Sequence, residues 1–417
     1  MIDQNILIIH ANELVTVSGF QAKKGKEMSE LHIIEDGAVA IEKGIITRVG
    51  KTEEVLSEVD TSLYQIIDAT GKAVLPGFVD SHTHLVFGGF RAEEFSLRLK
   101  GESYMEIMKR GGGIASTVKA TREATNEQLY REGLRRLDSM LSFGVTTVEG
   151  KSGYGLDRVT ELKQLEVMKE LNKNHSVDIV GTFLGAHAVP SEYKGKEDAF
   201  IDFLINDVLP EVADQKLAEF CDVFCEQNVF SVEQSRRLLT EAKKVGIKAK
   251  LHADEIVQLG GAELAAELGA ISADHLLHAS DQGIKAMAEA GVVATLLPLT
   301  AFSLKEPYAR ARYMIDQNCA IALATDLNPG SCFSNSIPLL FALATLYMKM
   351  TPEEAVTALT LNGAASLSRA DTIGSIDVGK KGDLIILEYP SYQFIPYHFG
   401  VNIVEKVIKD GRLVFER

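Results

Sequence analysis

Between residues 71 and 365, short apolar segments alternate with amphipathic stretches eight times. The apolar segments end at His84, Glu149, His187, Glu226, His252, His275, Leu297 and Asp326. Stretches 126–143, 231–245, 261–268 and 280–290 carry the three-to-four-residue apolar spacing of helices that cover a core. Strands this short, separated by helices, pair in parallel, and eight such units close into a (β/α)8 barrel. An open doubly wound sheet is the alternative, but no glycine-rich phosphate fingerprint follows an early strand. Gly111-Gly-Gly113 follows a helix and reads as a flexible loop near the site.

The two ends of the chain share a different pattern. Residues 5–10 and 13–17 read as strands, and 37–41 with 45–49 as a hairpin around Gly44. Residues 382–387 and a hairpin at 404–415 around Asp410-Gly411 repeat the pattern. Neither half is long enough to bury its own apolar face. The expected fold is therefore α/β: a TIM-like barrel over 71–365 and a small discontinuous β-sandwich built from 1–70 and 366–417.

A composition of 46% hydrophobic and 24% charged residues is that of a globular protein. The net charge of −15 argues against nucleic acid or an anionic membrane as partner, but not against a small anionic substrate. There is no apolar run of membrane length, and Met1-Ile-Asp-Gln-Asn5 lacks the basic start of a signal peptide. Four cysteines in 417 residues fit a reducing, cytoplasmic setting. Cys221 and Cys225 lie in one apolar run and read as buried thiols rather than a metal pair.

In such a barrel, polar residues at the carboxyl ends of the strands converge on one mouth. His82 and His84 end Val74-Leu-Pro-Gly-Phe-Val-Asp-Ser-His-Thr-His-Leu85, read as one short strand entered through Pro76-Gly77. Side chains alternate along a strand, so the two imidazoles face the same way and make half of a metal site. His187, His252, His275 and Asp326 end later strands. A lone strand-end histidine is ordinarily a satisfied structural group; five of them with an aspartate at one rim are not explained that way. Nitrogen and oxygen donors without thiolates suit zinc or iron, with a coordination position left for water.

The block Leu75-Pro-Gly-Phe-Val-Asp-Ser-His-Thr-His84, the strands ending at His252, His275 and Asp326, and the split β unit resemble the amidohydrolase superfamily. Within it, Leu85-Val-Phe-Gly-Gly-Phe-Arg-Ala-Glu-Glu94, Gly111-Gly-Gly-Ile114, Glu149-Gly-Lys-Ser-Gly-Tyr-Gly155, Phe183-Leu-Gly-Ala-His187 and Asp326-Leu-Asn-Pro-Gly-Ser331 are similar to the imidazolonepropionase family. The likeness spans essentially the whole chain. Its His-x-His block is specific to the superfamily alone; the blocks around Arg91, Tyr154 and Asn328-Pro-Gly-Ser331 point to the narrower family. The resemblance implies one divalent or trivalent metal ion per subunit, zinc or iron, held by His82, His84, His252 and Asp326. It implies substrate contacts at Arg91, Tyr154, His187, Glu255, Asn328, Gly330 and Ser331, and a homodimer. The implied reaction is hydrolytic opening of 4-imidazolone-5-propanoate to N-formimidoyl-L-glutamate, a step of histidine degradation.

Residue chemistry agrees with those roles. Glu255 lies three residues past His252, on the loop beyond the strand, where it can carry a proton to a ring nitrogen. His275 can hydrogen-bond the attacking water or the developing charge on the carbonyl oxygen. Glu255, His275 and Asp326 form the expected catalytic set. The fork of Arg91 matches a propionate carboxylate, although a solvated arginine beside Glu93 and Glu94 would look the same. Tyr154 sits in a glycine-flanked loop that can approach a ligand, or that simply exposes an aromatic ring. Asn328-Pro-Gly-Ser331 serves equally well as a tight turn.

One departure stands out. Two-metal members of the superfamily carry a bridging lysine at the end of the fourth strand, where this chain has Glu226, while Lys151 lies beyond the second. One metal is expected, with Glu149 and Glu226 as supporting carboxylates; a Glu226 bridge between two metals stays open. Two other functions remain: a purine or pyrimidine aminohydrolase, whose substrate has no carboxylate for Arg91, and a barrel scaffold without catalysis, which would not need four ligands.

Overall fold

The structure, a computed structural model, describes residues 5–102 and 112–417. The chain opens with β1 (Asn5–Val15), β2 (Ile33–Glu42), β3 (Ile45–Lys51), β4 (Tyr64–Asp68) and β5 (Ala73–Pro76). Then come β6 (Phe78–Asp80), β7 (Val145–Lys151), β8 (Asp178–Ala186), β9 (Phe220–Cys225), β10 (Lys248–Ala253), β11 (Ser272–His275), β12 (Val293–Leu296) and β13 (Ile321–Leu323). Three strands, β14 (Leu384–Leu387), β15 (Val404–Lys409) and β16 (Arg412–Glu416), return to the first group.

The two ends build one eight-stranded sheet, ordered β16-β15-β14-β5-β1-β2-β3 with β4 beside β1. They meet where β14 pairs antiparallel with β5, Ile385 opposite Leu75. The sheet rolls until its halves touch again: Gly382 donates its N–H to Gly44 O at 2.7 Å, and Ile46 to Lys380 O at 2.8 Å. Ile6, Ile8, Val39, Ile41, Leu384, Ile386 and Ile408 fill the roll, so each half covers the other's apolar face. The strands expected at 5–10 and 13–17 are a single strand. A bulge between Ile8 and Ala11, with His10 at φ 58°, absorbs the polar residues that interrupt the alternation.

β6 to β13 pair in chain order, all in parallel, as the eight-unit pattern requires. Cys221, Val223 and Cys225 of β9, and Ala249, Leu251 and Ala253 of β10, pack in the large apolar cluster shared with the helices. The alternate residues of those strands point inward. Helices begin on side-chain caps: Thr125, Asp157, Ser231 and Ser280 each accept a backbone N–H three positions on. All four cysteines are buried free thiols. Among the described residues no helix is long and apolar enough to cross a membrane.

The stretch read as one strand leading to the histidines is divided between the two sheets. Val74 to Pro76 pair with β14, and after Gly77 the residues of β6 open the barrel. Gly77 is required at the crossing, because a Cβ there would lie 2.4 Å from the Thr146 side chain. Side-chain and loop hydrogen bonds close the barrel between β6 and β13. Asp80 accepts the Thr325 N–H at 2.9 Å and its hydroxyl at 2.6 Å. Beyond it, Asp326 N–H reaches His82 O at 3.0 Å and His84 N–H reaches Leu327 O at 2.9 Å. The His-x-His segment and the aspartate that follows β13 are thus zipped together by backbone.

Candidate metal centre

His82 and His84 share a face: the Nε2 of each lies 3.6 Å from Asp326 Oδ1. His252, from β10, stands with its ring centroid 4.6 Å from that of His82 and 5.7 Å from that of His84. The outer nitrogens are taken up by carboxylates. His82 Nδ1 meets Asp274 Oδ2 at 2.6 Å and His252 Nδ1 meets Asp222 Oδ2 at 2.8 Å. A carboxylate facing Nδ1 makes that nitrogen the donor and leaves the Nε2 lone pair pointing inward. Both Nε2 atoms are buried and have no hydrogen-bond partner in the protein. Asp326 Oδ2 accepts the Thr300 hydroxyl at 2.6 Å, leaving Oδ1 toward the histidines. Buried imidazole nitrogens without partners are costly unless something accepts their lone pairs. Three imidazoles and a carboxylate converging in this way fit a metal ion of the zinc or iron kind.

Burial holds the pKa of His82 and His84 well below the ordinary histidine range and that of His187 at about 3, so all three are neutral near pH 7. Burial opposes charge on His252 too, but the neighbouring Asp222 carries its pKa upward. Burial raises Asp326 to about 6. It raises Glu255 to about 8, with the charge of Asp326 adding to the effect. Left-handed backbone at Asp254 (φ 49°), His275 (φ 75°) and Asp326 (φ 51°) marks loops held in an uncommon conformation by their surroundings.

Glu255 and His275 are neighbours, with Glu255 Oε1 3.5 Å from His275 Nδ1. Neither ring nitrogen of His275 has a protein hydrogen bond. Glu226, expected as a supporting carboxylate with a metal bridge left open, is engaged with backbone. Its Oε2 accepts the Ile256 N–H at 2.8 Å and so fixes the loop that carries Glu255. Phe224, of the inward phase of β9, lines the same cavity, its ring 5.7 Å from that of His252 and 6.2 Å from that of His187. Glu226 lies one step past β9, where the alternation has ended.

A cavity of about 730 Å³ opens above the histidines. Arg91, Tyr154, His187, Glu255, Asn328, Gly330 and Ser331 all line it, together with His84, His252, His275 and Asp326. Arg91 is half-buried rather than solvated, its Nε on Glu94 Oε2 at 2.9 Å. Its guanidinium lies against the Gly330 backbone so closely that a Cβ there would stand 2.1 Å from Nη1. Tyr154 is buried, and its loop is tied down by Glu161, which accepts the N–H groups of Gly153, Gly155 and Leu156. His187 Nδ1 meets Gly153 O at 3.0 Å, and its ring stacks on His84 at 4.9 Å. Asn328 spends its side chain on the turn: Oδ1 accepts the N–H of Gly330 and of Ser331, while the amide donates to Asp326 O. Of the glycine cluster, Gly111 lies outside the described residues; Gly113 N–H donates to Glu94 Oε2 at 3.0 Å.

The profile of the amidohydrolase family matches residues 73–414. The chain belongs to the amidohydrolase family. Imidazolonepropionase of Clostridium tetani is 65% identical over 413 residues, covering 99% of both chains. Imidazolonepropionase of Parabacteroides distasonis is 63% identical over the same length, again with 99% of each chain covered. Among solved structures, a zinc-bound adenosine deaminase from Xanthomonas campestris superposes with a TM-score of 0.71 at 19% identity, covering 98% of this chain and 92% of that one. A triazine hydrolase variant superposes with a TM-score of 0.75 at 16% identity, covering 99% and 95%. At those identities the superpositions establish the shared fold.

Several groups of this amidohydrolase escaped sequence reasoning. Asp222 and Asp274, which orient two imidazoles, lie inside apolar strands, and Thr300 and Arg98 lie on helices beside the mouth. Asp222 had a readable signal, because it is in phase with Phe220 and Phe224 and out of phase with the outward cysteines. Arg98 donates to Gly330 O at 3.2 Å and shares the cavity with Arg91; nothing in the local sequence sets it apart from a surface helix residue.

Proposed function

We propose that this amidohydrolase is an imidazolonepropionase, which adds water across the cyclic C–N amide bond of 4-imidazolone-5-propanoate and releases N-formimidoyl-L-glutamate. The observation that carries this reading is one cavity uniting inward-facing imidazoles and Asp326 with the guanidinium of Arg91. The 65% identity to the Clostridium tetani protein supports the choice of ring.

In this reading His82, His84, His252 and Asp326 hold one zinc or iron ion; the engagement of Glu226 Oε2 with the Ile256 N–H supports one ion rather than two. When bound, the ion supplies Lewis acidity, which polarises a carbonyl and makes water acidic near neutral pH. Arg91, backed by Glu94, binds the propionate carboxylate. Tyr154 and His187 wall the ring on the side of His84. The turn held by Asn328 presents Gly330 and Ser331 to the substrate. Glu255 takes a proton from water and delivers it to the ring nitrogen as the C–N bond breaks. Its raised pKa suits both halves of that transfer. His275, with both nitrogens free of protein partners, hydrogen-bonds the carbonyl oxygen as charge develops there. The hydroxyl of water ends on the carbonyl carbon and its proton on the nitrogen. The buried free thiols support a reducing, cytoplasmic setting.

The test incubates metal-replete protein with imidazolone propionate and follows the loss of its ultraviolet absorbance, with guanine as a control base. Turnover of imidazolone propionate alone is the expected result. Deamination of the base without ring opening would replace this reading by a base aminohydrolase, and folded protein that takes up no metal and turns over neither compound by a scaffold.

A further inference from the structure

The carboxylates that orient His82 and His252 are themselves touched by a single buried ammonium. Lys151, the last residue of β7, places Nζ 2.7 Å from Asp222 Oδ2 and 3.4 Å from Asp274 Oδ2. Those are the same oxygen atoms that face His252 Nδ1 and His82 Nδ1. A third contact, 3.0 Å to Glu149 Oε1, occupies the remaining side of the ammonium. Lys151, Glu149, Asp222 and Asp274 are all fully buried, so water competes for none of these contacts. An ammonium has three donors and no acceptor, and here three carboxylates surround it.

The link crosses the barrel interior. It runs from β7 to β9 and β11, and from there to histidines on β10 and just past β6. We propose that Lys151 is a positioning residue of the metal centre: it fixes both orienting carboxylate oxygens together, and through them the orientation and Nδ1–H tautomer of His82 and His252. This inference rests on the metal-binding reading above. Without the ammonium, Asp222 and Asp274 face each other across the space it held, and each keeps only the bond to its other oxygen, from His252 N–H at 3.0 Å and the Ser272 hydroxyl at 2.6 Å, while the oxygen facing the imidazole loses its cation. Lys250 supplies an internal comparison. It is equally buried, but its Nζ pairs with Glu149 Oε2 at 2.8 Å and touches Ser81 O at 3.3 Å. Among the described ion pairs it meets neither Asp222 nor Asp274, so although its charge acts on Asp274 through space it holds neither orienting oxygen in place.

The test strips metal from wild type, Lys151→Met, Lys151→Gln and Lys250→Met, and titrates each with Co²⁺ against a chromophoric chelator. Two quantities are read: the affinity, and the visible ligand-field band, which reports ligand geometry independently of activity. Lys151→Met should bind Co²⁺ roughly 10–100-fold more weakly, the usual effect of losing a partner behind a ligand, and with a changed band. Lys151→Gln, which retains a donor amide, should fall between it and wild type. Lys250→Met should keep the wild-type band. A folded Lys151→Met with wild-type affinity and band overturns the inference. So does Lys250→Met losing as much, since any buried charge would then suffice. Failure of both Lys151 variants to fold, judged by circular dichroism, overturns it in favour of a purely structural lysine. Wild type that binds no Co²⁺ would refute the metal centre itself, which keeps the two failures distinguishable.

Discussion

Gly330→Ala is the smallest change expected to unseat Arg91, the arginine proposed to bind the substrate carboxylate. The added Cβ would stand 2.1 Å from Arg91 Nη1 and 2.6 Å from Cζ. Ordinary van der Waals contact begins at 3.4 Å, so the guanidinium must withdraw by more than an ångström. It cannot simply swing aside, because its Nε is tethered to Glu94 Oε2 at 2.9 Å. A withdrawal of that size takes at least one N–H···O contact to the carboxylate out of hydrogen-bond range. Losing a charge-assisted hydrogen bond costs ~1.5–3 kcal/mol. At a factor of ten for each ~1.4 kcal/mol, KM should rise about 10–150-fold. The obstructing atoms belong to the end of a flexible side chain, so the fold itself should tolerate the methyl group. Steady-state kinetics on imidazolone propionate, with metal content and Tm measured on the same preparations, would show the KM rise against near-wild-type metal content and Tm. An unchanged KM in folded, metal-loaded protein would refute the seating of Arg91 on Gly330 as the carboxylate site.

His252→Ala should abolish metal binding while circular dichroism still reports a folded barrel, since the residue lies at the mouth; retention of one metal per chain would remove His252 from the ligand set. Glu255→Gln should keep the metal and lower turnover by roughly 10²–10⁴-fold, and wild-type turnover would leave Glu255 without a role in proton transfer. In metal-free protein the pKa of Glu255 is raised from 4.5 to about 8, so the folded chain binds this proton more tightly than the unfolded chain does. Stability therefore falls as pH rises from about 4.5 to about 8. Urea unfolding of the apo-protein across that range should show the fall, and Glu255→Gln should flatten it; identical slopes would contradict the raised pKa.

The barrel was legible because two periodicities alternate along the chain eight times with short strands, and the open doubly wound alternative lacked its glycine-rich fingerprint. The outward cysteines of β9 could be read by parity, and so could the shared face of His82 and His84; the four-ligand set came from the family resemblance. Parity also carried information that apolar composition concealed: Asp222 and Lys250 occupy inward positions within runs whose neighbours pack outward. What parity cannot provide is the length of each strand. Val74 and Asp80 sit in one apolar run, yet a Thr146 side chain against Gly77 assigns them to different sheets. Glu226 reads as the end of the fourth strand, which stops one residue earlier. The seam at Asp80 and the seat of Arg91 on Gly330 depend on residues 245 and 239 positions apart in sequence, respectively. No local pattern encodes such distances.

The join between β5 and β14 also sets the order in which the molecule can be made. Pro76 pairs with Leu384, roughly 300 residues further along the chain. At about 5–20 residues per second, synthesis leaves β5 without its neighbour for tens of seconds. During that interval its apolar face and open hydrogen-bonding edge are a template for any other extended chain. His82 follows β5 by six residues, so the first two proposed metal ligands hang from a strand whose partner has not yet been synthesised. Metal loading that precedes the arrival of β14 would take place on an unfinished support.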